Sequence, residues 1–246
     1  MARREKKIDV WLVRHGESEV NRLDGSRFSG SNLWSELTEE GRQQALQLGQ
    51  KWRDFRFTHW ICSPAVRAQQ TCRYCTQGMA PASNSDPALL NPIVWPTYEL
   101  APALVEQSQG AAEGRFKKEF EYRALDESTG KIRTLVSRDS DDLWWRAKPF
   151  LKSENRCVQD AESQQHVFQR ASTFLEKKLS NLFKIWQPDM RVVIFTHETV
   201  IKCLCSKLLA DALPFRHMSI DHTTAIKLSY ADAWNLVDIE GNARIC

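Results

Sequence analysis

Apolar residues follow two patterns along this chain, one typical of buried strands and the other typical of helices. Short apolar runs bounded by polar residues predict buried strands at residues 8–13, 58–62, 191–196, 224–229 and 234–239. Between them, apolar residues recur every three or four positions and predict helices after Thr38, after Pro64, over 161–185 and through 201–208. Strands that alternate with helices across short connections are typical of an α/β fold, in which a parallel sheet carries helices on both faces.

The predicted helices have recognisable starting residues. Thr38 precedes two glutamates, whose carboxylates suit the positive end of a helix dipole. Apolar residues then recur at helical spacing as far as Phe55. Ser63 followed by Pro64 predicts a second start, with the serine as cap and the proline at the first helical position. Each helix is therefore joined to its neighbouring strands by a short connection.

Residues 81–160 differ in character from the rest of the chain. The part up to Pro102 is rich in proline, which excludes helix for most of it and leaves loops with one short edge strand. The part from Gly110 is charged and has few periodic apolar residues. We interpret 81–160 as an elaboration, or lid, over the crevice at the sheet edge.

Two histidines directly follow predicted strands. His15 lies in the segment Arg14-His15-Gly16-Glu17-Ser18 behind the first apolar run, and His197 follows the run 191–196. The carboxyl ends of parallel strands meet at one edge of a sheet, where open α/β folds bind their ligands. Gly16 allows a close backbone approach beside the first histidine. The sequence therefore predicts two imidazoles and one guanidinium in a single crevice.

Arg67 adds a second guanidinium to this crevice. It lies in the first turn after Pro64, where free N–H groups and the helix dipole favour an anion. Arg14 and Arg67 each offer a planar fork that matches phosphate oxygens. Together with His197 they suffice to neutralise a dianionic phosphoryl group. Spacings typical of metal ligands are absent around the histidines, so we expect a site without metal or cofactor.

Catalysis at such a site needs a nucleophile and a proton donor. An imidazole among cations is held neutral, so its lone pair is free to attack phosphorus and form a covalent intermediate. Glu106 is the leading candidate for the proton donor, because it precedes Gly110 and Gly114 on a loop that can approach the crevice. Glu198 competes with it, because it directly follows the second histidine.

Composition narrows the alternatives. With 246 residues and 42% apolar content, the chain has room for a full core, and we expect one domain over 1–246. A net charge of +3 is too small to indicate nucleic acid, and we interpret Arg115, Lys117 and Lys118 as a solvated face. No apolar stretch approaches the ~20 residues that span a bilayer, and no signal peptide is recognisable. We expect a cytoplasmic protein without a membrane partner.

Cysteine usage agrees with a reducing compartment. Seven cysteines lack the spacing of a disulfide framework and are expected to be reduced thiols. Cys72 and Cys75 lie three positions apart, which suits small apolar residues on one helix face better than a redox or metal half-site. Cys203 and Cys205 do not supply the complementary spacing of a zinc site.

Taken together, the motifs resemble the histidine phosphatase superfamily, in the branch related to cofactor-dependent phosphoglycerate mutase. The resemblance spans most of the chain, with a gap around 115–160. The matching residues are Arg14 to Ser18 with Asn21, Arg27 to Gly30, Leu37, Thr38 and Gly41, Ser63, Pro64, Arg67, Ala68, Gln70 and Thr71, Glu106, Gly110 and Gly114, Glu162 and Ser163, and Thr196 with His197.

The resemblance implies a three-layer α/β/α sandwich with a mostly parallel sheet, and a small phosphorylated molecule as substrate. It also implies a role for each matching position. These roles are His15 as the phosphorylated nucleophile, Arg14, Arg67 and His197 as the lining of the phosphate pocket, Asn21 as a phosphoryl contact, Ser29 and Gly30 as substrate contacts, and Glu106 as the proton donor. The sequence does not fix the oligomeric state, and a homodimer is one possible form.

Two positions depart from the family pattern. Glu198 stands where the family usually has glycine after the second histidine. A carboxylate that pointed inward would repel phosphate, or would act as the acid, as the residue after the second histidine does in the acid-phosphatase branch. His222 stands where relatives often have a small polar residue or asparagine, and we interpret it as a hydrogen-bonded histidine on a strand rather than a site residue.

Hydrolysis and mutase activity compete within one reaction class. Mutases of this family typically follow the acidic residue with Arg-His-Tyr, whereas this chain has Gln107-Ser108-Gln109. They also have an Arg-Arg-Ser segment before a run of prolines, and the region 141–149 offers only Arg146 and one proline. Groups that hold a second anion and suppress water attack are thus missing, which favours a phosphatase. A mutase, or a non-catalytic phosphate-binding or scaffold protein, is the alternative.

The substrate beyond the phosphate is not determined by these motifs. Four aromatic residues of the elaborated region could form an apolar wall suited to a bulky leaving group, or else the core of the elaboration itself. They are Trp95, Tyr98, Trp144 and Trp145.

Overall fold

A central sheet determines the arrangement of the molecule. The computed structural model describes residues 6–22, 26–80, 97–126, 128–136, 140–209 and 215–245. Within these segments the sheet has six strands in the order β11-β10-β1-β8-β2-β3. The strands are β1 (Ile8–Arg14), β2 (His59–Cys62), β3 (Glu99–Leu100), β8 (Arg191–Thr196), β10 (Ala225–Tyr230) and β11 (Trp234–Glu240). The five predicted strands are all present, and β3 is the expected short edge strand.

The sheet is mixed rather than uniformly parallel. Among the described strands, β1 with β8, β8 with β2 and β2 with β3 pair in parallel. The pairs of β10 with β1 and with β11 are antiparallel. The sheet expected to be mostly parallel thus has a parallel half, with three of the five described pairings, that continues into an antiparallel hairpin. The parallel half brings the carboxyl ends of β1, β2 and β8 to the same edge.

Helices pack against both faces of the sheet. They are α1 (Glu19–Arg22), α2 (Glu39–Lys51), α3 (Val66–Met79), α4 (Asp141–Arg146), α5 (Gln164–Lys184) and α6 (Glu198–Leu208). Alternate residues of β1 point to opposite sides: Leu12 packs with α5 and α6, whereas Trp11 packs with α2 and α3. This burial on both faces explains why the strands are continuous apolar runs.

Some predicted helix boundaries need correction. The Thr38 hydroxyl accepts a hydrogen bond from the Gly41 N–H at 3.0 Å, so the predicted cap of α2 is confirmed. That helix ends at Lys51, before Phe55, because the chain turns into β2. Helix α3 begins at Val66 rather than at Pro64. Residues 63–65 make an extended connection instead, and Ser63 turns its hydroxyl to His197.

Part of the elaborated region folds as a second sheet. In the described segments this sheet has four strands in the order β5-β4-β6-β7. They are β4 (Phe120–Asp126), β5 (Lys131–Thr134), β6 (Lys148–Leu151) and β7 (Arg156–Cys157). One face of β4 buries Phe120 against Phe28, Leu151 and Val158, which joins the second sheet to the loop after α1. These strands were not predicted from the sequence. They contain many charged residues and therefore lack a clear alternation of apolar and polar positions.

The remaining described elements complete the domain without a membrane segment. The short strands β9 (Met218–Ile220) and β12 (Ala243–Ile245) pair antiparallel beside the main sheet. No described helix combines the length and the apolar character needed to cross a bilayer. The proline-rich segment 81–96, including Trp95, lies outside the described residues.

Candidate active site

A polar cavity of about 300 Å³ opens at the carboxyl ends of the parallel strands. It lies where the sequence placed the two strand-end histidines. Eight of the nine residues predicted for the site border it, and the ninth, His197, lies directly beneath the ring of His15. The lining consists of Arg14, His15, Val20, Asn21, Phe28, Ser29, Gly30, Arg67, Glu106, Gln107, Gln109, Lys117, Tyr122, Glu198 and Thr199.

The tautomer of His15 is fixed by its own loop. Its Nδ1 lies 2.7 Å from the carbonyl oxygen of Gly16, and a carbonyl can only accept a hydrogen bond, so Nδ1 bears the proton. The Nε2 atom is then an unprotonated acceptor, and Arg67 Nε donates to it at 3.2 Å. Burial, followed by the charges of Arg67 and Arg14, lowers the pKa of His15 well below its usual value. The ring is therefore a neutral base with its lone pair directed at a guanidinium.

Gly16 makes the close approach that its position suggested. A Cβ at this position would lie 2.5 Å from the backbone oxygen of Gly41, at the start of α2. The Gly16 N–H also donates to the Thr71 hydroxyl at 3.0 Å, which ties the loop to α3. These two contacts fix the backbone on which His15 stands.

Two guanidinium groups border the cavity. Arg14, the last residue of β1, donates through Nη1 to the Ile220 carbonyl and lies 3.0 Å from a carboxylate oxygen of Glu198. Its Nε is buried and has no hydrogen-bond partner in the described chain. Arg67 stands in the first turn of α3, and besides His15 it contacts the Asn32 carbonyl. Both arginines are thus held by the backbone at one end and directed into the cavity.

His197 lies under the floor of the cavity. It follows β8, occupies the N-cap position of α6, and has no exposed surface. Its Nε2 is 2.8 Å from the Ser63 hydroxyl, while its Nδ1 is buried without a hydrogen-bond partner among the described residues. Burial, then Arg67, then His15 lower the pKa of this ring well below its usual value. When Nδ1 bears the proton and Nε2 accepts from the Ser63 hydroxyl, this unpaired N–H is a free hydrogen-bond donor.

Both candidate proton donors border the same cavity. Glu106 accepts from the N–H of Gln107 at 2.8 Å and from the N–H of Thr199, in the first turn of α6, at 3.4 Å. Glu198, the first residue of α6, points inward and contacts Arg14 and, at 3.8 Å, Lys202. The geometry therefore leaves both carboxylates within reach of a bound ester.

A second arginine-carboxylate pair supports the Glu106 loop. Arg170 on α5 donates to both carboxylate oxygens of Glu162, at 2.8 and 2.9 Å. The same guanidinium donates to the carbonyls of Ala103 and Glu106, at 2.6 and 3.2 Å. The pKa of Glu162 lies below its usual value, because hydrogen bonds from Arg170 and Ser108 outweigh the effect of burial. This clamp positions the loop that presents Glu106.

Asn21, predicted to contact the phosphoryl group, and Ser29 and Gly30, predicted to contact the substrate, also border the cavity. The side chain of Asn21 accepts from the Ser18 hydroxyl at 2.6 Å. Gly30 has φ of +49°, a conformation that favours glycine, and follows Ser29 along the cavity rim. The loop is held by Glu113, which accepts from the N–H and the hydroxyl of Ser31, both at 2.8 Å.

The structure adds residues that sequence reasoning missed. Lys117, interpreted above as part of a solvated face, borders the cavity instead, because the 114–117 segment runs alongside 26–28. Tyr122 reaches the cavity from β4, and Gln107 and Gln109 from the loop after Glu106. Tyr122 could not be predicted at the cavity, because no periodic pattern of apolar residues marks the second sheet.

His222 is also closer to the chemistry than predicted. Its ring centroid lies 5.9 Å from that of His15, and its Nε2 is buried without a partner in the described chain. The interpretation of a hydrogen-bonded strand histidine was therefore wrong: His222 follows β9, and its ring nitrogen is unsatisfied. Burial, followed by the charge of Arg14, lowers its pKa to about 4.

Three of the four aromatic residues considered for an apolar wall are described, and they pack elsewhere. Tyr98 packs beside α3 and hydrogen-bonds Gln69, Trp144 packs against Tyr122, and Trp145 packs against Phe168 of α5. None of these three side chains borders the cavity. Trp144 belongs to a small core of the elaboration, which was the alternative interpretation, whereas Trp145 packs against the core of the main sheet.

None of the six described cysteines borders the cavity. Cys72 and Cys75 are buried between α3 and the sheet, and burial raises the pKa of Cys72 to about 12. Such thiols are unreactive. Within the described ranges, no three His, Cys, Asp or Glu side chains are arranged to hold a metal ion.

Known proteins share this arrangement of elements. One curated relative, "Probable phosphoglycerate mutase GpmB" of Enterobacter sp. (strain 638), is 27% identical over 227 residues, which cover 92% of this chain and 86% of the relative. The solved structure of a mycobacterial glucosyl-3-phosphoglycerate phosphatase matches with a TM-score of 0.64 and 19% identity, over 94% of this chain and 97% of that one. A phosphoglycerate mutase from Bacillus anthracis str. Sterne matches with a TM-score of 0.68 and 17% identity, over 95% and 92%.

The solved structures show a shared fold, and the family comparison goes further. A model of the histidine phosphatase superfamily (branch 1) matches residues 10–239. That range contains His15, His197 and every other residue predicted for the site. The resemblance found in the motifs is therefore confirmed over nearly the whole chain, which belongs to the histidine phosphatase superfamily.

Proposed function

We propose that this protein hydrolyses small phosphomonoesters through a covalent phosphohistidine on His15, without a metal ion. One observation supports this most strongly: the unprotonated Nε2 of His15 is fixed by the Gly16 carbonyl and directed at Arg67. A nucleophile with its lone pair free and its target site lined by cations is the arrangement that phosphoryl transfer requires.

In the first step, Nε2 of His15 attacks phosphorus while the bond from phosphorus to the leaving oxygen breaks. Arg14, Arg67 and His197 stabilise the charge on the three transferring oxygens, the task that a metal ion performs in kinases. Glu106, or Glu198 in its place, gives a proton to the departing alkoxide. The products of this step are the free alcohol and a phosphoryl group bonded to Nε2.

In the second step, water attacks the phosphohistidine. The carboxylate that gave its proton now accepts one from the attacking water, and the bond between phosphorus and Nε2 breaks. Inorganic phosphate is released, and His15 returns to its neutral form with the proton on Nδ1. The low pKa of the ring favours this outcome, because the neutral imidazole is the better nucleophile for the next turnover.

The cavity favours a small and polar leaving group. Its volume of about 300 Å³ is at the lower end of the range for ligand pockets. Apart from the residues proposed to bind phosphate, the cavity lining includes four polar residues. They are Gln107 and Gln109 with amide groups, Tyr122 with a hydroxyl and Lys117 with an ammonium group. We therefore propose a small phosphorylated metabolite rather than an aromatic phosphate as the natural substrate, in a cytoplasmic setting.

Mutase activity is the second candidate, and the relatives support it. The curated relative and one of the structural neighbours are named phosphoglycerate mutases. Against it, residues 107–109 after Glu106 have neutral side chains, and Lys117 is the one further cation on the described cavity wall. A single exposed lysine gives weak retention of a second anionic group. The mycobacterial neighbour is named a phosphatase, and hydrolysis remains our first choice.

The direct test is release of phosphate from p-nitrophenyl phosphate by the purified protein in excess chelator, with His15→Ala alongside. Turnover that survives the chelator and is lost in the variant supports the proposal. The variant must melt cooperatively, so that lost activity is not lost folding. His59→Asn, at a histidine away from the cavity, is the matched control and should retain full activity.

Absence of turnover would separate the alternatives. If the wild-type protein releases no phosphate but transfers the phosphoryl group between two positions of a phosphoglycerate, it is a mutase. If it does neither, and inorganic phosphate still raises its melting temperature, it is a binding protein that retains the pocket.

A further inference from the structure

The phosphate pocket contains a fixed carboxylate of its own. Glu198 Oε2 lies 3.0 Å from Nη1 of Arg14, one of the two guanidiniums that border the cavity. The side chain is only 30% exposed and lies on the cavity wall. A phosphoryl oxygen and this carboxylate would therefore seek the same donor.

Neighbouring groups hold the carboxylate in this position. Its other oxygen, Oε1, is 3.8 Å from the Lys202 ammonium, one helical turn along α6. That lysine is itself mostly buried and lies 4.7 Å above the ring of Phe215. The backbone of Glu198 is fixed as the first residue of α6, directly after His197. Rotation into solvent would therefore break two ionic contacts.

Arg14 is correspondingly less available to a ligand. One of its terminal nitrogens already serves both Glu198 and the Ile220 carbonyl, while its Nε remains unpaired. Among the described residues Arg67 has no ion pair within 4 Å and instead contacts His15 and a backbone carbonyl, although the charges of Glu106 and Glu113 act on it from farther away. The two guanidiniums thus differ: Arg14 is in direct contact with a carboxylate, whereas Arg67 is not.

We propose that Glu198 competes with bound phosphate for Arg14, so that the pocket binds inorganic phosphate weakly and releases it readily. The proposal rests on the phosphatase function above and specifies how the same site avoids inhibition by its own product. Like charges near one cation lower the affinity for a second anion, and the effect grows as water is excluded from the pocket. Glu198 is then an affinity-setting residue, separate from the proton donor.

The test compares the competitive inhibition constant of inorganic phosphate in the wild-type enzyme and in Glu198→Gln. Glutamine keeps the shape and removes the charge, so we expect inhibition by phosphate to tighten at least about tenfold. Inhibition by orthovanadate should tighten in the same variant. Its progress curves should also level off earlier than those of the wild-type enzyme, because accumulating product inhibits it more strongly. Glu36→Gln is the matched control, because it removes the same charge from an exposed position away from the cavity and should leave the constant unchanged.

An unchanged inhibition constant in a folded Glu198→Gln protein would overturn the proposal. If that variant instead slows esters with poor leaving groups while phosphate inhibition stays the same, Glu198 is the proton donor and not an affinity-setting residue. If Glu198→Gln does not fold, Glu198→Ser is the second variant. The proposal requires that inorganic phosphate inhibits this variant more tightly than it inhibits the wild-type enzyme. If the wild-type enzyme neither turns over nor binds phosphate, the proposed function fails first, and this inference fails with it.

Discussion

Arg67 Nε donates a hydrogen bond to Nε2 of His15 across 3.2 Å, so the guanidinium lies at the atom that attacks phosphorus in the proposed mechanism. In that mechanism, substrate oxygens exchange contacts with Arg67 as they approach Nε2. The arginine would then orient the ring first and stabilise the transferred charge afterwards. It can do both because its fork also contacts the Asn32 carbonyl, which fixes the plane of the group.

Replacing this fork by an ammonium group should be costly. We expect Arg67→Lys to lower kcat/KM for p-nitrophenyl phosphate by about 10²- to 10³-fold, since one positioned donor is removed from the transition state. The measurement is steady-state kinetics at one pH and ionic strength. Arg73→Lys, at an exposed position further along α3, is the control. Equal losses in both variants would mean that Arg67 acts on folding and not on catalysis.

The proton donor should be revealed by its dependence on the leaving group. We expect Glu106→Gln to slow alkyl phosphates by about 10²- to 10⁴-fold and p-nitrophenyl phosphate far less, because a good leaving group needs no proton. The assay is a series of esters with leaving groups of graded pKa. If Glu198→Gln gives the steep dependence and Glu106→Gln gives none, the assignment of Glu106 is wrong.

The Arg170 clamp should influence rate more than binding. Arg170→Lys loses the paired hydrogen bonds to Glu162 and the contacts to the Ala103 and Glu106 carbonyls. We expect kcat to fall about tenfold with KM little changed, and the fall to be larger for poor leaving groups. An increase in KM with kcat intact would show that the clamp shapes substrate binding instead.

Two buried histidines and one half-buried histidine should make stability fall in acid. The pKa values of His15, His197 and His222 are all lowered in the folded state. The unfolded chain binds these protons at about pH 6.5, so unfolding becomes easier as the pH falls below that value. Their contribution to stability is complete above pH 6.5. Urea unfolding at pH 7.5, 6 and 5 should show the decline.

Removing one histidine tests this assignment. We expect His222→Asn to reduce the loss of unfolding free energy between pH 7.5 and pH 5 by about 1–2 kcal/mol, since its folded-state pKa is about 4. His59→Asn should have a smaller effect, because His59 is only partly buried. A decline of the same size in wild-type protein and His222→Asn would show that other groups cause it.

The catalytic centre was predictable because local patterns determine its position. His15 and His197 follow apolar runs, and parallel strands place their ends together whatever the rest of the chain does. The position of Arg67 could be predicted because a helix begins shortly after β2. That helix begins two residues later than predicted. His222 gave no such signal, because it lies in a turn two residues after the three-residue strand β9 and no apolar run precedes it.

The outer wall of the cavity depends on tertiary contacts that no local pattern reveals. Strand β5 is exposed along its whole length, so its residues do not alternate between apolar and polar. Lys117 and Tyr122 reach the cavity only because Phe120 packs on Phe28, at a ring distance of 5.4 Å. The pairing of Glu198 with Arg14 likewise required coordinates, since the sequence allowed either an inward or an outward carboxylate.

The phosphohistidine itself gives the most direct test of the account. Protein mixed with a radiolabelled phosphomonoester, quenched within milliseconds in alkali and digested, should retain label on the peptide that contains His15. The label should be stable in alkali, lost in acid, and absent from His15→Ala. Label on any other residue, or steady turnover with no labelled peptide at any quench time, would contradict a mechanism through His15.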